Sequence, residues 1–324
     1  MSKVPQQDIG TIALDFINHT YQNIFLTGGA GTGKTTFLKF LRKNTHKKMI
    51  VAAPTGVAAV NAGGITIHSL FGLPPRPLDS GTVKNIRLTG QSKSLLRELE
   101  MLVIDEASML RADVLDAIDY LLKEIRQDSR PLGGLQVIFI GDLFQLPPIE
   151  TRDDAEKLCG EYKSLYFMNA KTFPGLHMLM MELTQIYRQS DPVFIDLLTG
   201  IRRGCISDND LNVLNSLYSP DWSKKEAVIL TTHNRYASEV NDQQLNSLPG
   251  IVYTFSAEIT GEFATENAPV GNVLQLKIGC RVMIIKNDNT ANIQFFNGKI
   301  GLVTAIDEQV VEVKFDDDVI VSFN

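Results

Sequence analysis

Residues 28–36 read GGAGTGKTT, and the interpretation of the whole chain starts from them. Gly28 is followed by four residues and then by Gly33, Lys34 and Thr35, which matches the phosphate-loop pattern G-x-x-x-x-G-K-[ST]. Glycines let the backbone curl so that successive N–H groups point at phosphate oxygens, and the N-terminus of the following helix adds partial positive charge. The alternative is a chance glycine-rich turn, which the flanking strand and helix disfavour. The motif predicts a nucleoside triphosphate site.

Each loop residue has an expected role at such a site. The Lys34 ammonium can reach the β- and γ-phosphates, and the Thr35 hydroxyl can ligate Mg²⁺. The residues expected to contact the nucleotide are Gly28, Gly29, Ala30, Gly31, Thr32, Gly33, Lys34, Thr35 and Thr36.

Around this loop, short apolar runs alternate with segments of helical periodicity. The predicted strands are 23–27, 49–53, 101–105 and 136–140, and the predicted helices are 34–44 and 113–125. Because the strands are continuously apolar rather than alternating, the pattern predicts an α/β fold with a parallel sheet covered by helices on both faces.

Two further units follow in the sequence. A helix with an Asp cap, Pro at its first position and a terminal Gly is predicted in DPVFIDLLTGIRRG (191–204), with a strand at 227–232 and a helix at 235–248. From about residue 273 to 324 the pattern changes to short β-rich runs broken by NG and DD turn signals. These runs predict a small meander or barrel.

An acidic pair follows the strand MLVI. Asp105 would support the metal ion, and Glu106 could accept a proton from the attacking water. The alternative is two solvated acids at a strand end. Their position after the phosphate loop, in the expected order, favours hydrolysis.

The stretch GDLFQLPP (141–148) ends another apolar strand. Its strand should lie beside the one that carries Asp105, so that Gln145 would face the γ-phosphate. Pro147 and Pro148 hold the next backbone extended. Alone, the stretch reads equally well as a proline-stiffened surface turn.

Composition limits the class of protein. The chain has 324 residues, 44 % of them hydrophobic, and a net charge of −6. No apolar stretch approaches the roughly 18 residues of a membrane span, and no signal peptide is recognisable. The three cysteines (Cys159, Cys205 and Cys280) form no zinc or disulfide pattern. We therefore expect no membrane association and a cytoplasmic location, or a nuclear one in a eukaryote. The net charge does not exclude a local basic channel.

These motifs together resemble one known family. The chain is similar to the superfamily-one DNA helicases, and most closely to the petite integration frequency (PIF) family, with the RecD and Dda helicases as relatives. The matching stretches, which cover residues 21 to about 205, are FLTGGAGTGKTT, AAPTGVAAVNAGGITIHSLFG, LVIDEASML, GDLFQLPP and ELTQIYRQSDPVF. The blocks TIHSLFG and GDLFQLPP are specific to this branch.

The resemblance implies an architecture and an activity. It implies a first RecA-like domain over 1–185 with a strand-separating insertion at about 73–94, a partial second RecA-like domain over 186–256, and an SH3-like β unit over 257–324. The implied protein is a monomeric ATP-dependent 5′→3′ DNA helicase that uses Mg²⁺ and acts on single-stranded DNA and on single-strand/duplex junctions. Repair, recombination and telomere maintenance are all compatible with such a motor.

The resemblance also assigns site residues. It makes Lys34, Glu106 and Gln145 catalytic, with Asp105 and Thr35 at the metal. It also makes Arg188, in IYRQ, an arginine finger that reaches the γ-phosphate from the second domain. Read without the family, Arg188 is a surface cation.

Single-stranded DNA contacts are expected from APTGVAA and TIHSLFG. Thr55 could hold a phosphate, and His68 and Phe71 could face the strand or its bases. The alternatives are a hydrogen-bonded structural histidine for His68 and a core residue for Phe71. The segment 73–94 could equally be a plain long loop.

The sequence departs from the family in two places. The adenine-reading Gln usually stands nearer the phosphate loop than Gln7 does, although Gln7 is the best candidate together with Gln6. No HKSQG-like or YVALSR-like motif occurs before Asn324. We therefore expect the chain to lack the end of its second motor domain, to bind ATP–Mg²⁺ and to unwind poorly by itself.

Two other classes of function remain open from the residues. One is a P-loop ATPase that remodels proteins, although FQLPP and TIHSLFG are not typical of it. The other is a DNA-binding module whose nucleotide site is only structural, which Glu106 disfavours.

Overall fold

The computed structural model describes residues 8–150, 152–158, 160–219, 228–258, 271–285, 288, 294–295, 298–307 and 310–323. The chain divides into two compact units, Met1–Leu217 and Tyr218–Asn324. In the described residues, no helix combines the length and the apolar character that crossing a bilayer requires.

A parallel sheet of six strands organises the first unit. Its strands are β1 (Ile24–Gly28), β2 (Met49–Ala53), β3 (Ile65–Thr66), β4 (Met101–Ile104), β5 (Gln136–Gly141) and β6 (Leu179–Leu183). The spatial order is β3-β2-β4-β5-β1-β6, and every neighbouring pair is parallel. This confirms the predicted α/β class.

Successive residues of the central strands point into two separate cores. In β5, Phe139 packs in one cluster with side chains from the helices between residues 67 and 126, while Ile138 and Ile140 pack in the other with side chains from the helices at 9–19 and 34–44. The side-chain period of two explains this division, because neighbouring residues of a strand face opposite sides of a sheet. Both faces of the sheet are therefore covered by apolar side chains, which is why the strands appear in the sequence as continuous apolar runs.

The helices of this unit include the three that the sequence predicted, near 34–44, 113–125 and 191–204. They are α1 (Ile9–His19), α2 (Lys34–Asn44), α3 (Gly56–Asn61), α4 (Ile67–Phe71), α5 (Ser80–Lys84), α6 (Gly90–Glu98), α7 (Ala112–Arg126), α8 (Arg152–Leu158), α9 (Pro192–Arg203) and α10 (Asp208–Ser216). Single 3₁₀ turns lie at Ala107–Met109, Pro131–Gly134, Phe167–Asn169 and Phe173–Leu176. The Asp191 carboxylate caps α9, as its sequence predicted.

The segment 73–94 is an ordered excursion rather than a loose loop. Leu73, Leu78 and Val83 are buried in the same core as α7. The backbone N–H of Leu78 also donates to the buried carboxylate of Asp113, at 3.0 Å. The excursion is thus fixed to the domain by apolar contacts and by one buried polar contact.

The second unit is mainly antiparallel. It contains α11 (Asn234–Ser247), a two-stranded ladder of β7 (Tyr253–Ser256) and β8 (Val273–Leu276), and a sheet of β9 (Arg281–Met283), β10 (Ile300–Ile306), β11 (Val311–Phe315) and β12 (Ile320–Phe323). The sheet order β12-β11-β10-β9 is the predicted meander. The predicted strand at 227–232 is not present in its described part, 228–232, which is irregular. The domain limits at 185 and 256 stay predictions.

Candidate functional site

The carboxyl ends of β1, β5 and β4 lie side by side at one edge of the sheet. Each end carries one of the predicted motifs: the phosphate loop follows β1, Asp142 follows β5, and Asp105 follows β4. Open α/β sheets bind ligands outside the carboxyl ends of their strands. Strand order therefore brings together three segments that are far apart in the sequence.

The phosphate loop has the backbone that its glycines predict. Gly31 and Gly33 have φ of +79° and +94°, values that favour glycine, and Gly33 is the N-cap of α2. A Cβ on Gly28 would stand 2.6 Å from the Leu183 carbonyl oxygen, so this position also needs glycine for space. The Lys34 ammonium donates to the carbonyls of Gly28 and Gly29 at 2.8 and 3.0 Å. Lys34 is thereby held across the loop.

The acidic pair lies within the electrostatic reach of this lysine. Glu106 adopts a left-handed backbone, with φ of +51°, and its N–H donates to a carboxylate oxygen of Asp105 at 3.0 Å. A non-glycine residue with positive φ is uncommon and is often found at functional sites. Gly141 permits the turn, because a Cβ there would stand 2.9 Å from the backbone nitrogen of Ala107.

Burial and charge shift the protonation of these groups in opposite directions. Burial lowers the pKa of Lys34, while the carboxylates of Asp142, Glu106 and Asp105 act to raise it. Burial raises the pKa of Glu106, the neighbouring Asp105 raises it further, and Lys34 opposes the change. Burial also raises the pKa of Asp105. A carboxylate with a raised pKa is a better proton acceptor near neutral pH, as a general base requires.

The stretch after β5 forms a turn tied to its own first residue. The backbone N–H of Gln145 donates to the Asp142 carbonyl at 2.9 Å, and the N–H of Phe144 donates to the Asp142 carboxylate at 3.2 Å. The Gln145 side-chain amide donates to the other carboxylate oxygen at 3.1 Å. Gln145 is exposed, and its side chain is tied to Asp142, whose charge acts on Lys34.

The sequence interpretation missed Arg202, which occupies the same place. Its guanidinium donates to both carboxylate oxygens of Asp142 at 2.9 to 3.2 Å, and it stands 4.8 Å from the Phe144 ring centroid. It also packs over the phosphate loop, since a Cβ on Gly29 would lie 3.8 Å from its Nε. An Asp that ends a buried strand signals the need for a cation. No spacing rule selects a partner 60 residues later.

Arg188 lies against the loop through its backbone. The N–H of Tyr187 donates to the Gly31 carbonyl at 2.9 Å, and a Cβ on Gly31 would come within 2.6 Å of the Arg188 Cβ. Arg188 is exposed, and within the described residues its guanidinium forms no hydrogen bond or ion pair. It belongs to the first compact unit. The structure thus brings this arginine next to the phosphate loop.

The metal-ligand candidates occupy the same edge. Thr35 is exposed in the first turn of α2, and Asp105 is half-buried at the end of β4. No cluster of three or more His, Cys, Asp or Glu side chains suited to a metal occurs in the part of the chain that is described. Mg²⁺ is commonly held by one or two protein oxygens together with substrate phosphates, so a hydroxyl and a carboxylate fit that mode.

The predicted DNA contacts lie in different surroundings. The Thr55 hydroxyl accepts from the Ala58 N–H at 3.2 Å and caps α3. His68 is half-buried, and burial and then the charge of Arg111 lower the pKa of its imidazole. Phe71 is 0 % exposed in the larger core, which agrees with the core alternative for this ring. Gln7 and Gln6 lie outside the described residues.

Comparison with known proteins identifies relatives for most of the chain. The model of the PIF1-like helicase family matches residues 5–212. The ATP-dependent DNA helicase PIF1 of Rattus norvegicus is 34 % identical in an alignment of 298 residues that covers 89 % of this chain and 45 % of that protein. The Pif1 helicase of Bdellovibrio bacteriovorus is 31 % identical and covers 94 % of this chain and 68 % of its own length. The chain thus spans less than half the length of the mammalian relatives.

Solved structures agree in fold. A crystal structure of Bacteroides Pif1 bound to single-stranded DNA superimposes with a TM-score of 0.84 at 36 % identity, covering 99 % of this chain and 74 % of that chain. A structure of Pif1 helicase from Candida albicans gives 0.80 at 27 % identity, covering 100 % and 78 %. Both similarities extend over the two compact units.

Proposed function

This chain belongs to the PIF1-like helicase family, and from that premise we propose that it is the ATP-hydrolysing part of a motor that moves on single-stranded DNA and separates duplex. One observation carries the proposal: the phosphate loop, the acidic pair and the Asp142–Gln145 turn meet at one edge of the sheet. The 5′→3′ direction and the monomeric state rest on the family resemblance alone. The protein-remodelling alternative is not favoured, because the relatives are named DNA helicases.

The nucleotide would lie along the phosphate loop with its phosphates over the N-terminus of α2. Lys34 would exchange its bonds to loop carbonyls for bonds to the β- and γ-phosphates, because a phosphate oxygen is a stronger acceptor than a carbonyl. Thr35 and Asp105 would hold Mg²⁺, which supplies charge neutralisation at the phosphates.

Three further side chains would act on the γ-phosphate. Glu106 would take a proton from the attacking water, Gln145 would orient that water, and Arg188 would neutralise charge on the transferred group. The raised pKa of Glu106 supports the first role. The position of Gln145 beside Asp142, and of Arg188 beside Gly31, supports the other two.

The partner would be single-stranded DNA and its junctions with duplex. The structure of one similar protein, Bacteroides Pif1, has been solved with bound single-stranded DNA. Another similar structure concerns DNA unwinding at forked duplex by two Pif1 helicases. In this chain, the excursion 73–94 carries four exposed cations and one acid: Arg76, Lys84, Arg87 and Lys93 against Asp79. Such a local excess suits phosphate contacts. Thr55 and His68 complete the proposed DNA surface, whereas Phe71 is 0 % exposed and belongs to the core.

Steady-state ATP hydrolysis tests the proposal, measured with and without a short single-stranded oligonucleotide. We expect DNA to stimulate turnover, Lys34→Ala to abolish it, and Lys39→Ala, an exposed lysine of the same helix, to leave it unchanged. ATP turnover that depends on Lys34 but ignores DNA would contradict the DNA motor and favour the remodelling ATPase.

A further inference from the structure

The Asp142 carboxylate holds two side chains at once, and both belong to the surroundings of the nucleotide site. Its side chain is 0 % exposed. Arg202 Nη2 donates to one oxygen at 2.9 Å and Arg202 Nε to the other at 3.0 Å, which is the bidentate arrangement of a guanidinium on a carboxylate. The Gln145 amide donates to the second oxygen at 3.1 Å. One buried acid therefore connects a helix end to the proposed γ-phosphate sensor.

The hydrogen bonds and the charge of Arg202 favour the ionised form of Asp142. Burial alone would raise the pKa of Asp142, but hydrogen bonds from Arg202, from the Phe144 backbone and from Gln145 outweigh it and hold the pKa below its usual value. Without the guanidinium, a wholly buried carboxylate would lose its closest cation, and burial would favour the protonated form. A protonated Asp142 could turn its own O–H toward a neighbour instead of accepting.

The ionised carboxylate in turn fixes which end of the Gln145 amide faces outward. A carboxylate only accepts hydrogen bonds, so the amide nitrogen must point at Asp142 and the amide oxygen away from it. An outward oxygen can accept a hydrogen bond from an attacking water, and the second N–H remains for a phosphate oxygen. A free glutamine would sample both orientations.

Arg202 also links this amide to α9. It stands in the last turn of that helix, and the first turn begins at Pro192, four residues after Arg188. The stacking of the guanidinium near the Phe144 ring and its packing over Gly29 hold it at the loop. A shift of α9 would therefore reach Gln145 through two charge-assisted contacts.

We propose that Arg202 is a positioning residue that acts through Asp142 to orient Gln145, and so couples the position of α9 to recognition of the γ-phosphate. This inference rests on the proposed nucleotide function. It predicts that substituting Arg202 lowers the affinity for ATP relative to that for ADP. The affinity for ADP, which has only the phosphates that both nucleotides share, should change little.

Nucleotide binding to the intact chain tests the proposal without requiring turnover. The dissociation constants of ADP and of a slowly hydrolysed ATP analogue are measured by competition with a fluorescent nucleotide. We expect Gln145→Ala to reduce the preference for the triphosphate about tenfold, the loss of one hydrogen bond to a charged group. Arg202→Gln should reduce it several-fold, with ADP affinity within about twofold of wild type. Arg202→Lys should keep part of the preference for the triphosphate that Arg202→Gln loses.

A double variant and a matched control complete the design. If Arg202 acts through Gln145, adding Arg202→Gln to Gln145→Ala changes nothing further, because coupled residues are not additive. The control is Arg203→Gln, an exposed neighbour in the same turn, and it should bind both nucleotides like wild type. Asp142→Asn should reproduce Arg202→Gln, since an amide cannot hold the guanidinium as an anion does.

The possible results separate this proposal from the proposed function. A normal preference in Arg202→Gln beside a reduced one in Gln145→Ala overturns the positioning role and leaves the nucleotide site intact. Additive losses in the double variant also overturn it, because Arg202 would then act on the nucleotide directly. A normal preference in Gln145→Ala refutes the sensor and the proposal together. An affinity for both nucleotides that is unchanged in Lys34→Ala refutes the nucleotide site itself.

Discussion

Gly141→Ala tests how closely two segments of the proposed nucleotide site must approach. A Cβ at this position would stand 2.9 Å from the backbone nitrogen of Ala107 and 3.2 Å from that of Ser108, and neither atom can rotate away. The φ of Gly141 is not positive, so the added methyl group acts by volume alone. To regain an ordinary contact of 3.4 Å, the turn after Glu106 must retreat by about 0.5 Å.

This displacement sets the expected magnitudes. A misplacement of 1 Å can cost about a hundredfold in rate, so a shift of half that size should lower kcat roughly tenfold. The overpacking should cost about 2 kcal/mol of the free energy of unfolding, or roughly 4–8 °C in Tm for a unit of this size. Nucleotide affinity should change little, because the phosphate loop is not touched.

The assay pairs DNA-stimulated ATP hydrolysis with thermal unfolding. The control is Gly160→Ala, where an added methyl group meets nothing within 4 Å and which lies outside the proposed nucleotide and DNA surfaces. We expect this control to keep full activity and to lose no stability. If Gly141→Ala were as active and as stable as the control, the close approach of β5 to the turn after Glu106 would not exist as described.

Three other predictions concern the site and the excursion. Glu106→Gln should lower turnover about 10²- to 10⁴-fold while a fluorescent ATP analogue still binds; normal turnover would exclude Glu106 as the base. Because the pKa of Glu106 is raised and the base must be deprotonated, the rate should fall on the acid side at a pH above its ordinary 4.5, and a rate independent of pH down to 4.5 would contradict this. Asp113→Asn should cost about 3 kcal/mol in urea unfolding, because it removes the bidentate partner of the largely buried Arg111 and weakens the acceptor of the Leu78 N–H. Limited proteolysis should then cut first within 73–79, and an unchanged cleavage pattern would show that the excursion does not depend on Asp113.

Local patterns predicted the elements that carry the nucleotide site. Lys34 begins α2 as the phosphate-loop motif requires, and Asp105 follows a strand whose four residues are all buried. Both assignments depend on fewer than ten neighbouring residues, and the glycines of the phosphate loop indicate its backbone conformation directly. Parallel order could also be inferred, because fully apolar strands need cover on both faces.

The remaining features depend on contacts between distant segments. Arg202 binds Asp142 although 60 residues separate them in the sequence. Arg188 and Arg203 carry the same charge, so the sequence alone does not show which arginine pairs with Asp142. Phe71 reads as a ligand-facing aromatic in its motif, but its ring lies in the core with Leu70 on the same short helix. At 227–232 the sequence predicted a strand, but the described residues 228–232 are irregular and pair with no neighbouring strand. A run of apolar residues is therefore not sufficient to form a strand.

The strand order also determines when the chain can fold during synthesis. Ile24 of β1 pairs with Ile138 of β5 on one side and with Leu179 of β6 on the other, so β1 has neither neighbour until much of the first unit has been translated. At about 5–20 residues per second, β1 waits on the order of ten seconds with its apolar residues unpaired. Sheets built from such distant pairings form slowly. A nascent chain arrested between residues 60 and 130 should therefore bind chaperones, and one released beyond residue 190 should not.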